Sequence, residues 1–220
     1  VFEHLYSAWG QHIKRVGGAM DIDTYARTQN LYPNVLKKMT DLRDAGVPLH
    51  FHNYSAHKHN IEGLFFNLLL GSNAESFLRK AKRVDRPINR SLTLAEYAMQ
   101  RGLNERFGER AAGLIADSLV DHLPQIASEK PKMLKATASY VTKKNEQAMV
   151  ELNQMLPNGE PLSLEIPASL LREESEGSLP DMHISQAQVD VMIETLSRKL
   201  HLGEPDQPLI TDQHNMLKVS

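Results

Sequence analysis

Nearly every apolar residue of this chain recurs at spacings of three and four, with one exception. In "VPLHFHNY", Leu49, Phe51 and Asn53 alternate with His50, His52 and Tyr54, the period of two that marks a β-strand. The stretch 48–54 is therefore expected to be a strand, and a strand cannot stand alone, because its N–H and C=O groups need a ladder partner. Only "LSLEI" at 162–166 offers itself as a second strand. Either those two segments pair, or the first belongs to a sheet mostly encoded elsewhere, which is the more natural option. The sequence also opens without Met, in what reads as the body of a helix, so residues upstream of Val1 are expected.

The rest reads as helix. Phe2, Leu5, Tyr6, Trp9, Ile13 and Val16 define one helical face, ended by Gly17 or Gly18 in a left-handed cap. Asp21 or Asp23 can cap a short helix through Tyr25 and Ala26. From Pro33 to Ala45 the spacing is again helical, with Pro33 in the first turn and Gly46 at the exit. Asn60 caps the apolar "IEGLFFNLLLG", and Thr93 with Glu96 forms a capping box for "LAEYAMQRGLNERFG". "ERAAGLIADSLVDHL" and the long "KMLKATASYVTKKNEQAMVELNQML" complete a helix-rich unit over 1–157. A Pro-, Gly-, Glu- and Ser-rich linker or loop is expected over 158–184, an amphipathic helix over 185–202 and a polar tail over 203–220.

Composition narrows the partners. A net charge of −2 over 220 residues supplies no global field to recruit nucleic acid. The absence of cysteine excludes disulfides, thiolate metal sites and cysteine nucleophiles, and a cytoplasmic setting fits it. No apolar stretch approaches the roughly 20 residues that span a bilayer. The helix at 185–202 can fold back or dock on a partner subunit, which leaves a homo-oligomer open.

Two clusters invite a chemical reading. His50, His52, His57 and His59 form two H-x-H pairs, and on a strand His50 and His52 would share a face and could offer two imidazoles to one zinc ion. With no obvious carboxylate nearby to set their tautomers, partly exposed or locally hydrogen-bonded histidines are the plainer expectation. The stretch 79–90 holds Arg79, Lys80, Lys82, Arg83, Arg86 and Arg90 against Asp85 alone. Its bland reading is a solvated loop and its sharper one an anion clamp, since guanidinium forks match phosphate and sulfate oxygens. The G-x-G-x-x-G, G-x-x-x-x-G-K-[ST], G-x-S-x-G and H-E-x-x-H motifs do not occur.

Three segments, in order, resemble the C-terminal half of bacterial sulfotransferase-like proteins of the P-loop superfamily. They are "VFEHLYSAWGQHIKRVGG", the run from "DIDTYA" through "LYPNVLKKMTDLRDAGVPLHFHNYSA" to "GLFFNLLLG", and "INRSLTLAEYAMQRGLNERFG" with "YVTKKNEQAMVELNQMLP" further on. The resemblance covers about residues 1–157. It implies an α/β fold of P-loop sulfotransferase type, represented here mainly by its helix-rich half. It also implies transfer of a sulfuryl group from 3′-phosphoadenosine 5′-phosphosulfate to a hydroxyl or amine of a small-molecule or glycan acceptor, with no metal.

By its place after Tyr6, Ser7 matches the family's serine for the 3′-phosphate, with His4 the alternative if the register slips by a helical turn. A basic loop commonly closes over the nucleotide there, and Arg83, Arg86 and Arg90 are the candidate cations. No catalytic residue is assigned. The family's P-loop and the Arg that pairs with the serine are not in these residues, and Tyr54-Ser55 stands where many relatives have Tyr-Glu.

Overall fold

The computed structural model describes residues 2–81, 90–157, 160–174 and 182–201. Its core forms around α1 (Phe2–Val16), which carries Phe2, Leu5, Tyr6, Trp9 and Ile13 on its buried stripe. Against that stripe lie α2 (Ile22–Thr28), α7 (Leu94–Phe107), α8 (Ala116–His122) and α9 (Lys135–Asn153), contributing Tyr25, Tyr97, Val120 and Val141 among others. Each such large side chain gains about 1.5–3 kcal/mol by leaving water. Trp9 stacks at 4.6 Å on Tyr97 while its indole N–H donates to the Met20 carbonyl at 2.9 Å. That gives the polar edge of a buried aromatic the partner it needs.

Helix α1 stops for identifiable reasons. Gly17 adopts φ 73°, and a Cβ there would lie 2.7 Å from the Glu109 backbone, so both conformation and space demand glycine. The carbonyls left over at this helix end are taken up by Asn104, whose side-chain amide donates to Ile13 O at 2.9 Å and Gly18 O at 2.8 Å. Asp21, rather than Asp23, caps α2. Asp23 instead accepts from the Leu134 N–H at 2.9 Å and from Arg172 at 2.8 Å, joining the two strands to α2.

Those strands, β1 (Met133–Leu134) and β2 (Leu171–Arg172), pair in parallel over two residues each and form the sheet found among the described residues. The strand expected at 48–54 does not form. Its residues run as irregular chain into a one-turn helix, α4 (Tyr54–His57), capped by the Asn53 side chain. The chain just before the 162–166 segment, Glu160 and Pro161, does come near it, but each hydrogen bond between them involves a side chain. Asn53 Nδ2 donates to Pro161 O at 2.9 Å, and no backbone ladder links them. A period of two marks side-chain alternation; it becomes a strand only where a neighbour accepts the backbone bonds.

The remaining helices are α3 (Leu31–Asp44), α5 (Ile61–Leu70), α6 (Ala74–Lys80) and α10 (Gln186–His201). Tyr32 and Leu36 of α3 pack with Ala148 and Leu152 of α9. Of the two options for the last helix, the chain folds back: Val189, Met192 and Leu196 of α10 pack on Ile115 and Leu119 at α8. The 158–184 linker is described in part, and 203–220 lies outside the described residues. No described helix is long and apolar enough to cross a membrane.

Candidate functional site

A cavity of about 780 Å³ opens beside the first two turns of α1. It falls in the size range of small-molecule sites. Phe2, Tyr6 and Ser7 form one wall, Tyr32, Val35 and Met39 of α3 a second, and residues 51–55 a third. Leu152, Met155 and the 161–170 segment close it from below. The lining is mainly apolar, with a few polar groups converging on it.

Four of those groups lie on or over α1. Ser7 is exposed at the cavity wall, as is His4 one turn earlier. Tyr6 is buried, and its hydroxyl has no hydrogen-bond partner among the described residues. Burial, with a smaller push from Asp23, drives its pKa far above the ordinary phenol value, so the group stays protonated and offers a donor. The ammonium of Lys130 sits 5.8 Å from the Tyr6 ring centre and also lines the cavity. The first turn of a helix adds unpaired N–H groups and the positive end of its dipole. Glu3 in that turn is engaged by Ser55, whose hydroxyl donates to Oε2 at 2.9 Å and ties α4 to α1.

At the edge of the cavity the histidines separate. His52 and His57 converge on Glu160, with His52 Nδ1 at 3.1 Å and His57 Nε2 at 2.7 Å from Oε1. Oε2 accepts the Asn53 N–H at 2.9 Å. The close His57 ring is the largest influence on this carboxyl, partly opposed by desolvation and reinforced by Asn53 and His52, and its pKa falls to about 2. His50 and His59 take no part. The expected sharing of one face by His50 and His52 is thus replaced by a His52–His57 pairing, and the carboxylate partner that seemed missing nearby arrives from 108 positions away.

The basic stretch fares differently. Arg83 and Arg86 lie outside the described residues. Arg90 does not clamp an external anion, because all five of its N–H groups are already used. They donate to both oxygens of Glu96 at 2.8 Å and to the carbonyls of Ser91, Leu119 and Leu123. Glu96 is fully buried, and its oxygens also accept from the Thr93 N–H and from Gln188. The Thr93–Glu96 capping box read from the sequence is present and has become part of this network. Burial pushes the Glu96 carboxyl up, but Arg90, Gln188 and Thr93 together outweigh it and the net shift is downward.

Of the residues singled out from the sequence, Ser7, His4 and His52 line the cavity and His57 stands at its edge; Tyr6 as a cavity group, Lys130 and Glu160 were not expected there. Tyr6 reads as one more core residue on the α1 stripe. Lys130 and Glu160 stand in polar segments where solvated charge is the default. No family model, curated protein or solved structure matches this chain.

Proposed function

We propose that this chain is the helix-rich part of a sulfotransferase-type α/β domain, and that the cavity beside α1 takes an end of the donor nucleotide. The observation that carries the reading is the placement of Ser7. The residue singled out by the "Tyr6-Ser7-Ala8-Trp9" resemblance stands in the wall of a cavity of about 780 Å³, which Tyr6, with its unpartnered hydroxyl, and Lys130 also line. A serine hydroxyl, a phenol and an ammonium are donors suited to a 3′-phosphate.

The reaction is in-line transfer of the sulfuryl group from the phosphosulfate to an acceptor hydroxyl or amine. The S–O bond to the nucleotide breaks as the acceptor bond forms, the acceptor proton is lost, and adenosine 3′,5′-bisphosphate leaves. Positioning and charge stabilisation supply most of the rate in such transfers. Arg83 and Arg86 remain candidate cations in this reading; Arg90 is withdrawn from it.

Isothermal titration of the native polypeptide with adenosine 3′,5′-bisphosphate tests the proposal. Saturable binding is expected, weakened about tenfold by Ser7→Ala, the worth of one hydrogen bond to a charged group. No binding, or equal binding by Ser7→Ala, overturns the assignment.

A second reading, a non-catalytic helical interaction module, is favoured by one observation. Phe65, Leu68 and Leu69 of α5 and Phe77 of α6 are 54%, 51%, 62% and 47% exposed, large apolar side chains of the kind that mark interaction surfaces when they cluster. Loss of self-association or partner capture on Leu69→Ser, with no nucleotide binding by the native chain, would select it.

A further inference from the structure

We propose that His52, His57 and Glu160 form a binding site for a zinc-type divalent metal ion at the edge of the cavity. The inference stands apart from the sulfuryl-transfer reading, which needs no metal.

The donor set is the first argument. Two imidazole nitrogens and one carboxylate oxygen, all within 4.8 Å of one another, are N and O ligands of the kind that hold zinc through three protein contacts and leave a fourth position open. Such ligands stand about 2 Å from the ion, which puts neighbouring ligand atoms about 3.3 Å apart in a tetrahedron. The distances of 3.1 and 2.7 Å to Oε1 are a few tenths of an ångström shorter, a gap that small side-chain rotations open.

Orientation is the second. His57 Nε2 is buried 2.7 Å from Oε1, and His52 Nδ1 faces the same oxygen at 3.1 Å, so two ring nitrogens converge on one carboxylate oxygen. Three donor atoms gathered on one point from two distant segments form an arrangement that a shared metal ion would use directly. The two rings meet nearly edge to face, 88° apart with centres 5.4 Å from each other.

Support from the surroundings is the third. The Asn53 N–H holds Oε2 and so aims Oε1 at the rings, the role that outer hydrogen bonds play around metal-bound carboxylates. The three side chains are a quarter exposed or less to little more than that, at 24%, 28% and 13%, which leaves an entry path while removing most competing water. Glu160 joins residues that follow α9 to the turn of α4, so a bound ion would clamp two segments that otherwise meet through few bonds.

The test uses the full chain, freed of metal by a chelator that is then removed. Titration with Zn²⁺, and with Co²⁺ followed by its visible d–d bands, is expected to saturate at about one ion per chain, the stoichiometry of a single three-ligand site. His57→Ala and Glu160→Gln are each expected to lose that stoichiometric uptake, whereas His50→Ala and His59→Ala keep it. Circular dichroism of each variant confirms its fold, and the stoichiometry of the unmodified protein decides the matter even where a variant unfolds. Absence of saturable uptake by the unmodified chain overturns the proposal. So does uptake that survives both His57→Ala and Glu160→Gln, which would put the ion on other groups.

Discussion

The region around α7 and the arm from α4 to α6 invert the usual distribution of polarity. At α7 the buried residues include Glu96, Gln100 and Asn104, at 0%, 0% and 3% exposure, together with Arg90 at 8%. In the arm, the most apolar stretch of the chain, "IEGLFFNLLLG", leaves Leu69 62% exposed. The difference lies in satisfaction rather than in hydrophobicity. Around α7 each buried polar group has found its complement, down to the fifth guanidinium N–H. In the arm, Phe66 packs between Phe65 and Phe77, but Phe65, Leu68 and Leu69 remain more than half exposed.

Breaking the buried network should have the largest effect. Arg90→Ala leaves the Glu96 carboxylate buried without its main counter-charge, and a loss of about 3–5 kcal/mol is expected from urea unfolding. The double change Arg90→Met with Glu96→Leu should cost much less, since no charge is then stranded. The same pair sets a pH dependence. The folded-state pKa of Glu96 is below its unfolded value, so its contribution is fully present above the ordinary carboxylate range. It disappears as pH falls through the folded value. A melting temperature that stays level through that acid range would contradict this.

An intermediate effect is expected at Asn104. Replacing it by Leu strips the Ile13 and Gly18 carbonyls of their donor and should cost about 1–3 kcal/mol per stranded group, read from the same unfolding curves. The smallest effect belongs to the arm. Leu69→Ser should shift stability by no more than about 0.5 kcal/mol, as for an exposed position. A large loss there would mean that the arm is packed in solution and that the contrast is wrong.

Local rules written into the sequence proved legible where one residue decides the outcome. Gly17, the Thr93–Glu96 box and the α1 stripe from Phe2 to Ile13 all follow from short-range chemistry, and the structure holds them, whereas Val16, expected on that stripe, is 53% exposed. Long-range partners were not legible. Glu160 reaches His52 across 108 positions, and Gln188 reaches Glu96 across 92, with nothing in the local pattern to announce either. Arg90 shows the same limit from the other side. Six cations in a row of twelve read as an anion clamp, yet the last of them belongs to a helix cap. The alternation at 48–54 misled for a further reason. Periodicity reports which way side chains face, while a strand also requires a neighbour, and the described residues supply none.

In the proposed reading the donor nucleotide would bind in the cavity beside α1. Hydrogen exchange of the native polypeptide, with and without saturating adenosine 3′,5′-bisphosphate, tests that directly. Slowed exchange is predicted in residues 2–7 and 51–55, which form two of its walls, with α5 and α6 unchanged. Protection confined to α5 and α6, or no change in residues 2–7, would contradict it.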